Sequence, residues 1–286
     1  MKNIIKIIIA LLVLFPPLIV AWDGDGHRII AQIAYDNMTP AARDAANDLI
    51  DRLSDQYPQT STFQTAAQWA DYLRHNNINA FNSWHFINYP YSSDNTTTGT
   101  IATENIVWAT NQSIAVLQSP HATEFERALF FRFLVHFVGD AHQPLHCISF
   151  YSKQFPHGDN GGNLYRIAGE QQNNLHAFWD NGLGLFDANS CHENRLKSNQ
   201  IDCLSHQIES EYPPSYFGAK THDLNVQHWT IESFNLAKSF VYTMPENSVP
   251  TPSYIAHGQQ IVAQQLALAG YRLANLLNSL LAQMDI

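Results

Sequence analysis

The chain has 286 residues, of which 45% are hydrophobic and 14% are charged. This composition excludes a disordered or low-complexity protein, which would be poor in apolar residues and rich in charge. The formal net charge of −10 disfavours a protein that coats nucleic acid with a basic surface, whereas the 14 histidines favour metal binding or proton transfer near neutral pH.

The first 21 residues have the pattern of a secretory signal peptide. Two lysines precede an apolar run over 7–15, and Ala21 is a small residue at which a peptidase can cut. Two prolines end the run, which is short for a membrane span, so a retained anchor is the less favoured interpretation. We therefore expect cleavage after Ala21, a mature chain over 22–286 without a membrane anchor, and a secreted or periplasmic protein.

Helical signals dominate the rest of the chain. Thr39 and Pro40 are typical of a helix start, with the threonine as N-cap. Apolar residues recur at helical spacing between Ile255 and Leu280, and a second helical face carries four side chains. That face consists of Leu129, Phe133, His136 and Asp140. Further helices are predicted over 24–36, 41–54, 62–74, 104–117, 174–183, 190–209 and 228–242.

Strand patterns are scarce in this sequence. Polar loops are predicted over 88–103 and 152–163, and the sequence also allows a short hairpin around 163–168. The chain has no fixed-period repeat and no linker long enough to divide it. The sequence therefore predicts an all-α or mainly α fold, with 22–286 as a single compact multi-helix domain.

The three cysteines fit an oxidising compartment. Cys191 and Cys203 lie twelve residues apart and could close a disulfide, which leaves Cys147 as an unpaired and buried thiol. Three glycosylation sequons begin at Asn37, Asn95 and Asn111, and they matter only in a host that glycosylates.

Two identical pairs of a histidine and an aspartate point to metal binding. His136 and Asp140, and likewise His176 and Asp180, are separated by four residues on predicted helices, so each pair can reach one ion. One such pair is more often a hydrogen-bonded feature of a core. Two pairs inside apolar segments are costly to bury unless they are paired or bound to metal.

A third histidine extends this pattern to two neighbouring sites. His146 lies ten residues after His136 and would point away from it on a straight helix, but Pro144 bends or ends the helix. We therefore expect His136 and Asp140 to serve one metal, and His146 to join His176 and Asp180 at another. His142 either orients a ligand or packs as a structural histidine.

Upstream segments offer further donors. Asp71 follows a tryptophan in Trp69-Ala-Asp71, and His85 lies between two aromatic residues. His27 lies five residues after Trp22, the first residue of the mature chain. Cleavage would free an α-amino group on Trp22, which can chelate a metal together with its carbonyl oxygen.

These motifs together resemble the zinc-dependent, single-strand-specific nucleases of the S-one/P-one type. The string LVHFVGDAHQPLH is accompanied by WAD and WHF upstream and by HGDNGGN and NLHAFWD downstream, in order across 22–181. The resemblance implies a mainly α fold and three zinc ions per chain. The implied ligands are Asp71, His85 and His136 for the first zinc, Asp140 bridging it to the second, Trp22 and His27 for the second, and His146, His176 and Asp180 for the third.

The resemblance also implies an activity and a substrate. The protein would be a secreted endonuclease that hydrolyses single-stranded RNA and DNA to 5′-phosphorylated products, with 3′-nucleotidase activity as a further possibility. Asp140 would help to activate water. Arg74, one helical turn beyond Asp71, would clamp the phosphate, with a surface salt bridge as its alternative role. We expect a monomer without a stable protein partner.

Two residues match positions that contact the base in the family. Phe86 would stack on a nucleobase and Asn181 would hydrogen-bond its edge, although packing and helix capping are their alternative roles. We count Asn88 with the substrate-binding residues. Well-known fungal members have an aspartate there, and an amide cannot act as a base, so Asn88 bears on rate and pH optimum more than on reaction class.

Three other interpretations remain open at the level of sequence. A zinc-dependent phospholipase C shares the fold and the cluster plan, although its last ligand is typically glutamate where this chain has Asp180. A secreted protein could bind zinc without catalysis. The histidines of a helical domain could also serve only as hydrogen-bonding groups.

Overall fold

Helices form most of the structure, a computed structural model that describes residues 22, 24–187, 191 and 197–282. Within these residues the helices are α1 (Gly24–Asn37), α2 (Pro40–Asp51), α3 (Phe63–Ala66), α4 (Trp69–His75), α5 (Ile106–Gln118), α6 (Glu124–Ala141), α7 (Leu175–Asp180), α8 (Lys197–Glu211), α9 (Pro214–Phe217), α10 (Val226–Ser239) and α11 (Pro252–Leu281). The two strands are β1 (Tyr89–Ser92) and β2 (Ile148–Tyr151). The prediction of a mainly α fold is confirmed.

Local capping explains where several helices begin. Thr39 is the N-cap of α2, and its hydroxyl accepts a hydrogen bond from the Ala42 amide at 3.2 Å, as predicted. At the start of α6, Thr123 and Glu126 form a reciprocal capping box. Helix α6, which carries His136, therefore begins at a capping box that its own sequence encodes.

The predicted helix over 62–74 is divided into α3 and α4. Helix α3 ends at Ala66 with Ala67 as its C-cap, and α4 begins at Trp69. The Ala67 carbonyl accepts a hydrogen bond from His136 Nδ1 at 2.7 Å. The interruption therefore frees a backbone acceptor for a side chain of α6.

One prediction about an irregular segment is wrong. The predicted loop over 88–103 contains β1, which pairs in parallel with β2 from Tyr89 opposite Ile148 onwards. The two strands are far apart in sequence and have four residues each, too few for a clear alternating pattern. Near the short hairpin that the sequence allows around 163–168, the chain forms an isolated antiparallel bridge between Arg166 and Asn174.

The core surrounds α6 and α11. Helix α11 packs against α1, α2, α6 and α8. Its contact with α1 is close, since a Cβ added at Gly270 of α11 would lie only 2.5 Å from Cγ2 of Ile33 in α1. Every residue from Phe131 to Ala141 in α6 is buried. A helix buried on all sides places its polar residues inside the protein, so His136 and Asp140 need partners there.

The structure confirms the predicted disulfide. Cys191 and Cys203 are bonded, with their Cα atoms 5.8 Å apart, and Cys147 is a buried free thiol. The predicted signal peptide over 1–21 lies outside the described residues, as does most of 190–196. Among the helices that are described, none combines the length and apolar character needed to cross a membrane.

Candidate metal centre

Helix α6 supplies the first two donors of the candidate centre. His136 and Asp140 lie one turn apart, with His136 Nε2 3.0 Å from Asp140 Oδ2. Both side chains are fully buried. A buried carboxylate and imidazole are costly unless their remaining polar atoms also find partners.

Three side chains from other elements reach the same point. His85, which ends a 3-10 turn after α4, places Nδ1 3.0 Å from Asp140 Oδ2. His27 of α1 places Nε2 3.3 Å from Asp140 Oδ1 and stacks on His136 with ring centroids 4.0 Å apart. Asp71 Oδ1 of α4 lies 3.9 Å from His136 Nε2. These five residues form two overlapping groups in which the donor atoms lie within 4.8 Å of one another.

A second group lies beside the first. His176 and Asp180 belong to α7, and His176 Nε2 is 3.2 Å from Asp180 Oδ2. His146 follows the end of α6 and places Nε2 3.9 Å from Asp180 Oδ1, while its Nδ1 lies 3.7 Å from Asp140 Oδ1. His146 thus lies with His176 and Asp180 rather than with His136, and Pro144 begins the 3-10 turn that directs it there.

Backbone carbonyls fix the orientation of three imidazoles. The Nδ1 atoms of His136, His146 and His176 donate to the carbonyls of Ala67, His85 and Gly161, each at 2.7 Å. A carbonyl can only accept, so Nδ1 carries a proton, and Nε2 is the atom that can present a lone pair to the centre when the ring is neutral. The Nε2 atoms of His146 and His176 are buried and have no hydrogen-bond partner among the described residues.

Such a donor set fits a metal ion. Imidazole nitrogens held through a backbone hydrogen bond at the opposite ring atom are typical of metal ligands. Asp71 Oδ1 is a further buried oxygen without a hydrogen bond in the described chain. The donors are nitrogen and oxygen, while the Cys147 thiol is directed to the Ala141 carbonyl, 3.6 Å away. Nitrogen and oxygen donors without thiolate suit zinc in a catalytic site.

The electrostatics of the first group favour a bound cation. Burial lowers the pKa of His136, but the carboxylates of Asp140 and Asp71 outweigh it and raise that pKa to about 9. Burial and the neighbouring imidazole lower the pKa of His27 to about 4 and that of His176 to about 3. Burial also opposes ionisation of Asp140, yet nearby imidazoles hold its pKa well below the usual range. The imidazoles likewise lower the pKa of Asp71, so the carboxylates of Asp71 and Asp140 favour the ionised form and attract positive charge.

Trp22 lies against the helix that carries Asp140. Its side chain is fully buried, and the indole Nε1 donates to the Gly139 carbonyl at 3.0 Å.

A Cβ on Gly139 would lie 2.7 Å from His27 Nδ1. The absence of a side chain at Gly139 thus lets His27 pack closely against α6 next to Asp140.

A cavity of about 210 Å³ opens beside the donors. Arg74, Phe86 and Asn88, all singled out from the sequence, line it together with three histidines of the centre, His85, His146 and His176. Arg74 Nη2 lies 3.8 Å from Asp71 Oδ1, and its Nε and Nη2 atoms are buried without a hydrogen bond in the described chain. A guanidinium with unused donors at the edge of this cavity can receive an anion.

Asn181 is placed differently from the other predicted substrate residues. It is the C-cap of α7 and is not among the described residues that line the cavity. Sequence reasoning missed Asn160, Gly161 and Asn163, which do line it. Their signal was the Asn-Gly-Gly-Asn string, in which Asn160 and Gly161 adopt positive φ angles of 54° and 61°.

Other candidate sites lack this convergence of donors. Asp36, His206 and Glu209 form a further group of possible ligands in the described chain, but they lie at the surface, where acidic groups are commonly solvated. Depressions of about 490 and 570 Å³ are larger than the cavity beside the metal centre. Neither is lined by a residue predicted to act at the site, so size alone does not locate it.

Sequence comparisons agree with this geometry. Residues 22–282 match the family model described as S1/P1 nuclease. Endonuclease 4 of Arabidopsis thaliana is 26% identical to the chain, with 90% of this chain and 88% of the relative aligned. Nuclease S1 of Aspergillus oryzae is 25% identical, with 92% of each chain aligned. Nuclease P1 of Penicillium citrinum is 26% identical, with 91% of this chain and 97% of the relative aligned.

The family match covers most of the chain, including every residue predicted to act at the centre. The family is metal-dependent, and the buried histidine and aspartate groups of this chain can bind metal. The protein belongs to the S1/P1 nuclease family and is an endonuclease that hydrolyses phosphodiester bonds of nucleic acid.

Proposed function

We propose that the mature chain over 22–286 is a secreted, monomeric, single-strand-specific nuclease that uses three zinc ions and releases 5′-phosphorylated products. The observation that carries this proposal is the inward orientation of three buried imidazoles, each anchored through Nδ1 on a backbone carbonyl, toward the carboxylates of Asp140 and Asp180. Preorganised nitrogen and oxygen donors of this kind support zinc catalysis.

Each zinc ion has its own ligand set in this proposal. The ligands are Asp71, His85 and His136 for the first, Asp140 shared with the second, His27 and the main-chain amino and carbonyl groups of processed Trp22 for the second, and His146, His176 and Asp180 for the third. When bound, the ions would lower the pKa of a water molecule and neutralise charge on the phosphate and the leaving 3′ oxygen.

The chain's own residues place the phosphate and the base. Arg74 has unused guanidinium donors at the edge of the cavity, where they can hold two phosphate oxygens. Phe86 lines the same cavity and can stack on a base, while the amide of Asn88 can donate to or accept from it. A base that enters a cavity must leave its stack, which favours single strands over duplex.

The acidic balance of the chain agrees with local recognition. With a net charge of −10, the protein as a whole repels a polyanion. Affinity would therefore come from the metal centre, Arg74 and the base-binding cavity. We expect the affinity for substrate to depend little on contacts between basic residues and distant phosphates. We also expect cleavage of short oligonucleotides.

Zinc content and product chemistry test the proposal together. The purified processed protein should hold three zinc ions per chain by elemental analysis and should cut end-labelled single-stranded RNA and DNA into fragments with 5′ phosphates. Matched duplexes should be cut more slowly. Full zinc occupancy without strand cleavage between pH 4 and 9 would support a metal-binding protein, and cleavage of phosphatidylcholine alone would support a phospholipase.

Replacing Arg74 tests the phosphate clamp. Arg74→Met should lower kcat by roughly 10² to 10³, because a preorganised donor to the charge that develops on the phosphate is lost. Arg74→Lys should retain more activity, since it keeps the charge without the two-pronged geometry. Steady-state kinetics on a dinucleotide, with zinc content measured in parallel, separates this role from an ion pair with Asp71. Unchanged kcat in the methionine variant would restrict Arg74 to that ion pair.

A further inference from the structure

Gln143 is a fully buried residue in the turn that joins the two groups of donors. It lies between Asp140, at the end of α6, and His146, and its side chain has no exposed surface. Its Oε1 accepts the Leu145 amide and thereby caps the 3-10 turn that carries His146. Its Nε2 donates to Asp180 Oδ1 in α7.

The orientation of the Gln143 amide follows from its surroundings. The Leu145 N–H can only donate, so the atom that faces it must be the oxygen. The nitrogen must then face Asp180, whose carboxylate can only accept while ionised. Flipping the amide to exchange its oxygen and nitrogen would therefore break both hydrogen bonds at once.

We propose that Gln143 is a positioning residue that sets the orientation of the Asp180 carboxylate in the group formed with His146 and His176. This inference rests on the proposed function, in which that group holds the third zinc. The amide donor holds Oδ1, while Oδ2 lies 3.2 Å from His176 Nε2. A neutral donor restricts rotation of the carboxylate and leaves its negative charge available to a metal.

Capping of the turn alone does not account for this arrangement. A cap needs only an acceptor, and a shorter side chain such as serine or asparagine supplies one. The longer glutamine adds a donor that spans from the turn to α7. Because Asp140 and His146 flank the same turn, this donor also fixes the spacing between the two groups of ligands.

A double-mutant cycle between residues 143 and 180 tests the assignment. Gln143→Met keeps the side-chain volume and removes both hydrogen bonds. We expect it to weaken binding of one of the three zinc ions by about 10- to 100-fold, the range typical of hydrogen-bond partners of metal ligands. In an Asp180→Ala background the same change should alter that affinity by no more than about twofold, since its target is gone.

Zinc affinity is measured by chelator competition, with native mass spectrometry to count ions and His176→Ala to identify the third one. Thermal unfolding of the metal-free variants reports any purely structural cost. Equal losses of affinity in both backgrounds, or no loss in either, overturn the proposal.

A second substitution keeps the test informative if the methionine variant does not fold. Gln143→Glu retains the acceptor for Leu145 but places a carboxylate against Asp180. Its effect on zinc affinity should differ at least tenfold between the Asp180 and Asp180→Ala backgrounds, and equal effects contradict a role through Asp180. Wild-type protein that binds three zinc ions without cutting single strands contradicts the proposed function alone, because the coupling between residues 143 and 180 is still measured.

Discussion

Asp140→Asn is expected to abolish nuclease activity, with a loss of roughly 10⁴-fold in kcat/KM, in the range found when a central catalytic group is removed. The Asp140 carboxylate lies within 3.3 Å of His27, His85 and His136 and is fully buried. Asparagine keeps the shape but removes the negative charge and one acceptor. In our proposal this charge holds two zinc ions together, so zinc content should fall as well.

The same substitution at the surface provides a matched control. Asp36 lies 3.7 Å from His206 and belongs to the exposed group with Glu209. Asp36→Asn also removes a carboxylate beside an imidazole, but without burial, and we expect unchanged cleavage of a single-stranded oligonucleotide. If Asp140→Asn keeps three zinc ions and more than a tenth of the wild-type activity, the bridging role of Asp140 is wrong.

Local periodicity was sufficient to predict much of this centre. His136 with Asp140, and His176 with Asp180, could be paired because four residues bring two side chains to one helical face whatever the rest of the fold. The effect of Pro144 could be foreseen because proline ends or bends a helix. His146 lies accordingly with the group from α7.

Features that depend on distant contacts could not be predicted in this way. The pairing of β1 with β2 joins segments far apart in sequence, and each strand is too short to show a pattern. Gln143 has no local feature that separates it from an ordinary turn residue, since its donor acts across to α7. Asn160, Gly161 and Asn163 of one loop line the cavity although they were not predicted as site residues, and the contact of Asn181 with a base stays a prediction.

The role of this loop leads to the second large effect, which we expect from Gly161→Ala. Gly161 has a φ of +61°, and a Cβ there would lie 2.3 Å from the Leu145 carbonyl oxygen. Alanine in a left-handed conformation costs about 1 to 2 kcal/mol, and a backbone oxygen cannot move aside cheaply. The loop must therefore shift. This shift moves the Gly161 carbonyl, which accepts a hydrogen bond from His176 Nδ1 at 2.7 Å.

Loss of that hydrogen bond should release the imidazole of His176 from its orientation. We expect Gly161→Ala to lower nuclease activity by about 100-fold and to weaken binding of one zinc ion selectively, at the upper end of the range found when an outer partner of a metal ligand is removed. Activity on a single-stranded oligonucleotide and zinc counts by native mass spectrometry measure the two effects.

Gly184→Ala separates the loop contact from backbone strain. Gly184 also has a positive φ, +81°, but a Cβ there would meet nothing within 4 Å. This control should lower the thermal unfolding temperature while leaving three zinc ions bound and activity close to wild type. If both alanine variants lose zinc and activity equally, strain alone is responsible, and the Gly161 carbonyl does not orient His176. If only Gly161→Ala does so, the Asn-Gly-Gly-Asn loop is part of the metal centre, because it supplies the carbonyl that holds a ligand in place.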